Sequence, residues 1–237
     1  MNEYTSTRGQ IPLALALREK PGFDLFVVGD NVEALQALKS IARGAKQSSL
    51  YLWGQSGNGI SHLLQAACIF ADENGRRIAY VSLGDHAELD PRILENMESM
   101  DIICIDDIDA ISGETTWEQT LLHLFNRLRE KKGVMLMGAH TSPQALKFEL
   151  QDLKSRMAWD LVYHIKPLDD ADRIEMLQRR AQARGFELSR EVAEYIVNRV
   201  RRDMLSLIAL LDELEQATLA EQRKLTIPFV KGLLKKV

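Results

Sequence analysis

The pattern of hydrophobic and polar positions divides the chain into two parts. In the first part, short apolar runs occur at residues 50–53, 78–83, 102–105, 134–139 and 162–165. Because these runs contain few polar residues, they are typical of strands buried on both faces of a sheet. Stretches of helical period lie between them, at about 32–43, 61–74, 91–97, 116–132 and 143–150. This alternation predicts an α/β fold, with a five-stranded parallel sheet covered by helices on both faces.

From Pro167 onward the pattern is helical only. Amphipathic stretches are expected at residues 170–184, 189–199, 202–221 and 227–236. Asp169, Ser189 and Thr226 suit helix N-caps, and Gly185 suits a C-cap. We therefore expect a flexible tail over 1–22, an α/β domain over 23–166 and a small all-helical domain over 167–237.

Composition and charge exclude several classes of protein. The 237 residues are 46% hydrophobic and 27% charged, which is ordinary for a globular protein. The net charge of −4 supplies no overall basic field, so strong direct DNA binding is not expected. The start is polar and no apolar run approaches about 18 residues, so we expect a cytoplasmic protein with no secretory signal and no membrane partner. Cys68 and Cys104 lack metal-ligand spacing and are expected to be reduced, buried thiols.

A glycine-rich turn follows the first predicted strand and leads into a helix. The string GQSGNGIS at 54–61 fits the phosphate-loop template GxxxxGK[ST] at Gly54, Gly59 and Ser61. Gly57 adds the backbone freedom needed to point successive N–H groups at phosphate oxygens. The helix that follows brings its positive end to the same place, and the Ser61 hydroxyl suits Mg²⁺. The string alone also fits an ordinary glycine-rich turn.

Ile60 occupies the position at which this template has lysine. That lysine normally contacts the β- and γ-phosphates and stabilises the charge that develops during phosphoryl transfer. Isoleucine cannot donate a hydrogen bond, and losing one charge-assisted contact should weaken triphosphate binding by about 1.5–3 kcal/mol. We therefore expect weak or no intrinsic ATPase activity.

A second motif combines an apolar strand with two acids. The run IICIDD at 102–107 ends in Asp106 and Asp107. Taken alone, it also fits a strand ending in solvated acids. In a parallel sheet, however, the carboxyl ends of strands share one edge, which places Asp106 beside the glycine-rich turn. There Asp106 is expected to bind Mg²⁺, and Asp107 to orient an attacking water. The two motifs together predict a nucleotide site.

Several short boxes, taken in order, resemble the DnaA branch of the AAA+ ATPases over nearly the whole chain. They are FVVGDN at 26–31, GISHLL at 59–64, the acid pair, HLFN at 123–126, SRMAW at 155–159 and RKLTIPFVK at 223–231. The first is similar to the box that contacts adenine in that branch. The resemblance implies a P-loop AAA+ domain followed by a helical lid.

The resemblance also implies which residues form the site. The bound cofactor would be ADP or another nucleoside diphosphate, with Mg²⁺ held by Ser61 and Asp106. The implied nucleotide contacts are Val28, Gly29, Asn31, Gly54, Ser56, Gly57, Asn58, Gly59, Ile60, Ser61, His62 and Arg202. Arg156 resembles the arginine finger that reaches a neighbouring protomer's γ-phosphate, and Arg202 resembles the sensor-2 arginine. His140 takes the sensor-1 place, where relatives usually carry Asp or Asn.

The N-terminal segment carries a further candidate motif. The string QIPLAL at 10–15 is similar to the peptide with which regulatory members of this branch dock on the DNA polymerase sliding clamp. Gln10 would supply hydrogen bonds, and Leu13 and Leu15 would fill apolar pockets. DnaA itself continues beyond its lid into a DNA-binding domain, whereas this sequence is expected to end in the lid.

These features favour a regulatory adaptor that binds nucleotide, docks on the clamp and presents Arg156 to ATP held by DnaA. It would stimulate hydrolysis and so negatively regulate initiation of chromosome replication; a homo-oligomer is compatible with this role. Two alternatives stay open. An autonomous AAA+ ATPase of helicase-loader type would release phosphate on its own, and a DNA-bound structural factor would show salt-dependent DNA affinity.

Overall fold

The computed structural model describes residues 21–46, 49–200, 203–221 and 225–233. The proposed clamp-binding residues Gln10, Leu13 and Leu15 lie outside this part of the chain, as does Arg202. The expectations for these four residues therefore stay predictions.

A five-stranded parallel sheet forms the centre of the N-terminal part. Its strands are β1 (Ser49–Trp53), β2 (Ile78–Ser82), β3 (Ile102–Asp106), β4 (Val134–Ala139) and β5 (Leu161–His164). Their order across the sheet is β2-β3-β4-β1-β5, and every neighbouring pair is parallel. The predicted α/β class and strand number are confirmed. This order brings the ends of β1, β3 and β4 side by side.

Helices cover both faces of the sheet and continue beyond it. They are α1 (Val32–Ala42), α2 (Ile60–Glu73), α3 (Thr115–Glu130), α4 (Gln151–Met157), α5 (Asp170–Ala183), α6 (Arg190–Arg199), α7 (Met204–Glu221) and α8 (Ile227–Leu233). One hydrophobic cluster joins α1 and α2 to one face, and a second joins α3 and α4 to the other. A third cluster lies among α5–α8, as the all-helical prediction requires.

The prediction of a helix over residues 143–150 is wrong. The chain makes one 3-10 turn, Pro143–Ala145, and then follows an irregular, non-helical path to α4. The cause is Glu118 on α3, which is fully buried and whose carboxylate accepts from the backbone N–H groups of Glu149 (3.1 Å) and Leu150 (2.9 Å). Because these amides are already bonded to a distant side chain, they do not join a local helical ladder.

The helix predicted over 91–97 is also wrong. Two 3-10 turns, Pro91–Leu94 and Met97–Ser99, replace it. Asn96 separates them with a left-handed backbone conformation (φ 61°), which an α-helix does not tolerate.

Two of the expected helix caps are present in the C-terminal part. The Asp169 side chain accepts from the Asp172 N–H at 2.8 Å, and Ser189 accepts from the Val192 N–H at 3.4 Å. Gly185 follows α5 with a φ of 83°, the conformation expected of a C-terminal cap residue.

Both cysteines are buried and free, with their sulfur atoms 3.1 Å apart. Among the residues described, no helix has the length and apolar character needed to cross a membrane.

Candidate nucleotide site

A cleft of about 330 Å³ opens where the ends of β3 and β4 meet the helical C-terminal part. This volume lies in the range of small-molecule sites. Its lining comes from residues 25–27, the glycine-rich loop at 55–62, Asp106 and Asp107, residues 139–140, and side chains of α5 and α7. The predicted phosphate loop and acid pair are thus brought together.

The glycines of the loop allow close approach of two other segments. Gly57 and Gly59 have φ values of 85° and 87°, which L residues rarely adopt. A Cβ atom at Gly57 would lie 3.1 Å from Met204 Cβ, and one at Gly59 would lie 3.1 Å from Phe26 Cε2. The loop is therefore enclosed by the start of α7 on one side and by the segment at 25–27 on another.

The loop is anchored to the sheet by Gly54 and Asn58. The Gly54 N–H donates to Ala139 O at 3.2 Å, and the Asn58 side-chain amide donates to Ile165 O at 2.8 Å. A Cβ at Gly54 would lie 2.7 Å from the same Ile165 oxygen. The Asn58 backbone N–H already donates to Gln55 O at 3.1 Å. In this structure both residues hold the shape of the loop, and Asn58 also lines the cleft together with Ser56, Ser61 and His62.

The Ile60 side chain is buried in the hydrophobic cluster between the sheet and α2. It packs against β4, since a Cβ atom added at Gly138 would lie 2.8 Å from Ile60 Cγ2 and 2.5 Å from Asp106 Oδ1. Only 8% of the residue is exposed, although it also contributes to the lining of the cleft. An apolar side chain therefore packs into the protein interior at the lysine position of the template.

Asp106 is buried, and both of its oxygens accept hydrogen bonds. Oδ2 accepts from the Tyr80 hydroxyl at 2.7 Å, and Oδ1 accepts from the Asp107 N–H at 3.1 Å. Burial, followed by the charge of Asp106, raises the pKa of Tyr80 far above its ordinary value of 10.0, so the phenol stays a donor. The two protein hydrogen bonds fix the orientation of the Asp106 carboxylate.

Asp107 lies next to Asp106 in a left-handed conformation with a φ of 54°. Its Oδ2 accepts from the Ser82 hydroxyl at 3.0 Å, and its Oδ1 lies 3.9 Å from His140 Nδ1. Burial, and then the charge of Asp106, raise the pKa of the Asp107 carboxyl above its ordinary value of 3.8. Asp109 positions His140, accepting its backbone N–H at 3.0 Å and lying 3.4 Å from its Nδ1. His140 lines the cleft as expected for the sensor-1 place.

The box at 26–31 contributes to the cleft through its first two residues. Residues 25–27 line the cleft, and Phe26 stacks on His62 with ring centroids 6.3 Å apart. Val28 packs against the hydrophobic cluster formed by α1, α2 and the sheet. Gly29 faces Asp172, whose Oδ2 would lie 2.7 Å from a Cβ atom added at Gly29. Asn31 is buried and exchanges two hydrogen bonds with the backbone of Lys166, at 3.1 and 2.8 Å. The predicted contacts Val28, Gly29 and Asn31 therefore lie beside the described lining.

In the helical C-terminal part, Arg202 was the one predicted nucleotide contact, and the side chains of α5 and α7 that line the cleft were not predicted. Met176 and Arg180 line it from α5, one helical turn apart, and Met204, Leu205 and Ile208 line it from α7. Leu205 is 59% exposed there. The spacing of residues 176 and 180 places them on one face of a helix, but nothing in the sequence indicates that this face meets the phosphate loop.

Arg156 lies near the end of α4 on a different surface, where it contacts two neighbours. Its Nη2 is 3.2 Å from Asp152 Oδ1, and its guanidinium carbon lies 4.3 Å from the centre of the Trp159 ring. The guanidinium carbon of Arg129 lies over the same ring at 4.5 Å. Trp159 is 48% exposed, whereas the Arg156 Nε is buried without a hydrogen-bond partner among the described residues.

The strand order, the loop between β1 and α2 and the acid pair at the end of β3 define a P-loop fold of the AAA+ class. A family model of the bacterial DnaA ATPase domain matches residues 17–164, and one described as Hda, lid domain, matches residues 170–234. The chain therefore belongs to the bacterial DnaA ATPase-domain family, as a DnaA-homologous AAA+ protein with an Hda-like lid.

Solved structures share this fold. Domain III of the Thermotoga maritima replication initiation protein DnaA matches with a TM-score of 0.80 at 24% identity, over 92% of this chain and 96% of that one. AMPPCP-bound DnaA from Aquifex aeolicus matches with a TM-score of 0.71 at 24% identity, over 83% and 65%. The Thermotoga maritima RuvB Holliday junction branch migration motor matches with a TM-score of 0.70 at 18% identity, over 92% and 72%.

Proposed function

We propose that this protein is a nucleotide-bound regulator of DnaA that promotes ATP hydrolysis on its partner through Arg156. It would thereby act as a negative regulator of replication initiation. The observation that carries the proposal is the burial of Ile60 at the lysine position of an otherwise complete phosphate loop. Such a loop suits holding a nucleotide better than hydrolysing it.

The cleft fits a nucleoside diphosphate such as ADP. The loop's left-handed glycines and the N-terminal end of α2 line the cleft, and such an arrangement suits phosphate oxygens. The apolar side chains of residues 25–27 and of α5 and α7 suit a base. Ser61 and Asp106 offer oxygen ligands for Mg²⁺, which would neutralise phosphate charge when bound. The similarity to AMPPCP-bound DnaA supports a nucleotide as the ligand.

Intrinsic turnover by this protein is expected to be weak. Without the lysine, charge that develops on the γ-phosphoryl group loses its usual stabilising cation. Asp107 is the described acid best placed to orient a water, because Ser82 and His140 contact it beside the cleft. A positioned water alone does not replace the missing charge.

Arg156 is suited to act on a nucleotide held by another molecule. It lies on α4 at a surface that is separate from the lining of its own cleft, and its planar guanidinium can pair with phosphate oxygens. Its only described ionic partner, Asp152, is 55% exposed, and exposed ion pairs contribute little stability. Exchanging Asp152 for a partner's phosphate therefore costs little.

The DnaA and Hda family matches support DnaA as the partner. Docking on the sliding clamp through Gln10, Leu13 and Leu15 belongs to the same proposal and rests on the sequence resemblance. It would bring the regulator to DNA, so that the protein itself needs no strong DNA affinity.

The decisive experiment measures conversion of DnaA-bound ATP to ADP in the presence of this protein and clamp loaded on DNA. Arg156→Ala should lower the stimulated rate by about 10³-fold or more, the range expected for an arginine supplied in trans. Arg190→Ala is the matched control, because Arg190 also forms an i,i+4 ion pair, with Glu194. Normal stimulation by Arg156→Ala with intact ADP binding would overturn the assigned mechanism.

A second experiment separates the clamp contact from catalysis. Alanine at Gln10, Leu13 and Leu15 together should abolish capture on immobilised clamp and leave ADP affinity unchanged. Capture equal to that of the unaltered protein would refute the clamp assignment without touching the role of Arg156.

The rival function, an autonomous ATPase, is favoured by one feature, the retained acid pair Asp106 and Asp107. It predicts steady-state phosphate release by the protein alone above about 1 s⁻¹ at saturating ATP. A rate of that size would replace the regulatory proposal.

A further inference from the structure

The side chains that line the cleft carry too little positive charge to balance the negative charge of a diphosphate. Asp106 and Asp107 are carboxylates, and His62 and His140 are imidazoles. Among the described lining residues, the sole lysine or arginine is Arg180, on α5. With Ile60 at the lysine position, the described phosphate loop offers backbone dipoles but no positive side chain.

Arg180 is placed on the cleft by the packing of α5. Met176, one turn earlier, is buried and lines the same cleft. Arg179, the adjacent residue, points elsewhere: its Nη1 donates to Asp24 O at 3.0 Å, and it pairs with Glu175. The helix therefore directs one of two consecutive arginines at the nucleotide cleft and uses the other to hold the segment at residue 24.

The two walls of the cleft are close enough for one ligand to touch both. Met204 on α7 lies against Gly57 of the loop, since an added Cβ there would be 3.1 Å away. The helices α5 and α7 pack on each other and share the third hydrophobic cluster. Side chains of the loop, α5 and α7 line the same cleft, so a diphosphate held by the loop would occupy a space that α5 also borders.

We propose that Arg180 binds the phosphate oxygens of the nucleoside diphosphate and supplies the positive charge that the loop lacks at Ile60. The inference rests on the proposed nucleotide-bound function and adds a residue and a selectivity to it. Arginine suits this role because its fork can hold two oxygens at once and stays charged at every physiological pH. Binding through Arg180 ties the helical lid to the bound nucleotide.

The test compares ADP with AMP by titration calorimetry on the full-length protein. Arg180→Ala should weaken ADP binding by about 10- to 100-fold, the effect of one charge-assisted contact, and weaken AMP binding by much less. Arg180→Lys should recover part of the loss, because it restores the charge without the fork. Arg190→Ala should behave as the unaltered protein, and nucleotide-free thermal unfolding checks that each variant is folded.

A double variant tests whether Arg180 supplies the positive charge that lysine supplies in the phosphate-loop template. In the Arg180→Ala protein, Ile60→Lys should restore ADP affinity by at least about tenfold, since it returns a cation to the same phosphates from the loop side. Rescue of this kind does not follow if Arg180 only stabilises the fold.

The outcomes separate this proposal from the one it rests on. Unchanged ADP affinity in Arg180→Ala, or an equal loss for ADP and AMP, overturns the phosphate role of Arg180 alone. Failure of the unaltered protein to bind ADP overturns both the nucleotide-bound function and the role of Arg180.

Discussion

The nucleotide cleft and the Arg156 surface differ in how their polar groups are engaged. In the cleft, Asp106 is fixed by two hydrogen bonds and Ile60 is packed into the interior. On the Arg156 surface, a buried Nε has no described partner, and a half-exposed Trp159 lies under two guanidinium groups. In the first region Asp106 and Ile60 are held in place by their contacts, and in the second Arg156 keeps one nitrogen without a described hydrogen bond.

Under the proposed function, this difference would allow one AAA+ chain to keep a nucleotide and to act on a nucleotide held by another molecule. A site whose carboxylate is already oriented can bind a ligand without rearrangement. An arginine with an unsatisfied nitrogen gains hydrogen bonds when it meets a phosphate, because an unmade buried hydrogen bond is costly. In the proposed function, nucleotide binding and the action of Arg156 use separate surfaces.

The largest expected effect comes from disturbing the packing beneath the cleft. Gly138→Ala should lower the free energy of unfolding by about 3 kcal/mol, because the new methyl group would overlap Asp106 and Ile60. Urea denaturation measures this. Gly232→Ala on α8 is the control, since its Cβ would meet no described atom within 4 Å. Equal stability of the two variants would contradict the close packing around Gly138.

The second prediction concerns a variant with lysine at position 60, where the phosphate-loop template has lysine. Ile60→Lys should tighten ATP binding by about 10- to 100-fold through one charge-assisted contact, while lowering the stability of the nucleotide-free protein. Ile60→Met keeps an apolar side chain and should change ATP affinity little. Titration calorimetry with ATP, together with thermal unfolding, tests both effects. An Ile60→Lys protein with no gain in affinity would show that the loop does not present this position to the phosphates.

The third prediction concerns the support of Arg156. Trp159→Ala should reduce stimulation of DnaA-bound ATP hydrolysis by about three- to tenfold, the scale of one cation–π contact. Trp159→Phe retains an aromatic face and should lose less. Measuring rates over a range of regulator concentrations separates weaker docking from slower hydrolysis. Full activity in Trp159→Ala would indicate that the ring does not position the guanidinium.

The smallest prediction is a pH dependence of stability set by Asp107. Its pKa is raised in the folded protein, chiefly by burial and then by Asp106, so the unfolded chain loses this proton first as the pH rises. Its contribution therefore lowers the free energy of unfolding from near its ordinary pKa of 3.8 up to the raised folded value, and the penalty persists above that.

Asp107→Asn should remove this penalty, so that its stability advantage over the unaltered protein grows with pH through that window. Asparagine also tolerates the left-handed backbone at this position. Ser82→Ala removes the hydroxyl that bonds to the charged carboxylate, so it should deepen the loss. Urea denaturation across the acidic to neutral range checks both signs, and an advantage that shrinks with pH would contradict them.

The parts of the fold that could be predicted are those with a local signal. The central strands β1, β3 and β4 are almost entirely buried, whereas the edge strands β2 and β5 are partly exposed. The bounds of all five differ from the prediction by no more than one residue. The phosphate loop and the acid pair each carry their chemistry within a few consecutive residues, and the parallel sheet then brings them together.

The features that could not be predicted depend on contacts between distant segments. The stretch at 143–150 is helical in pattern but largely irregular in the structure, because its amides bond to Glu118. Arg180 is one of several arginines on α5 until the folded chain brings that helix and the loop to the same cleft. Trp159 and Arg129 meet only after α3 and the end of α4 come together.

Glu118 has a consequence for how α4 can behave. Its carboxylate holds the N–H of Leu150, the residue that caps α4, and also that of Gly113, at 2.9 Å each. Arg156 lies less than two turns further on. The base of this short helix is thus fixed to the protein interior, so in the proposed contact with DnaA the position of Arg156 would be adjusted mainly by its own side-chain torsions.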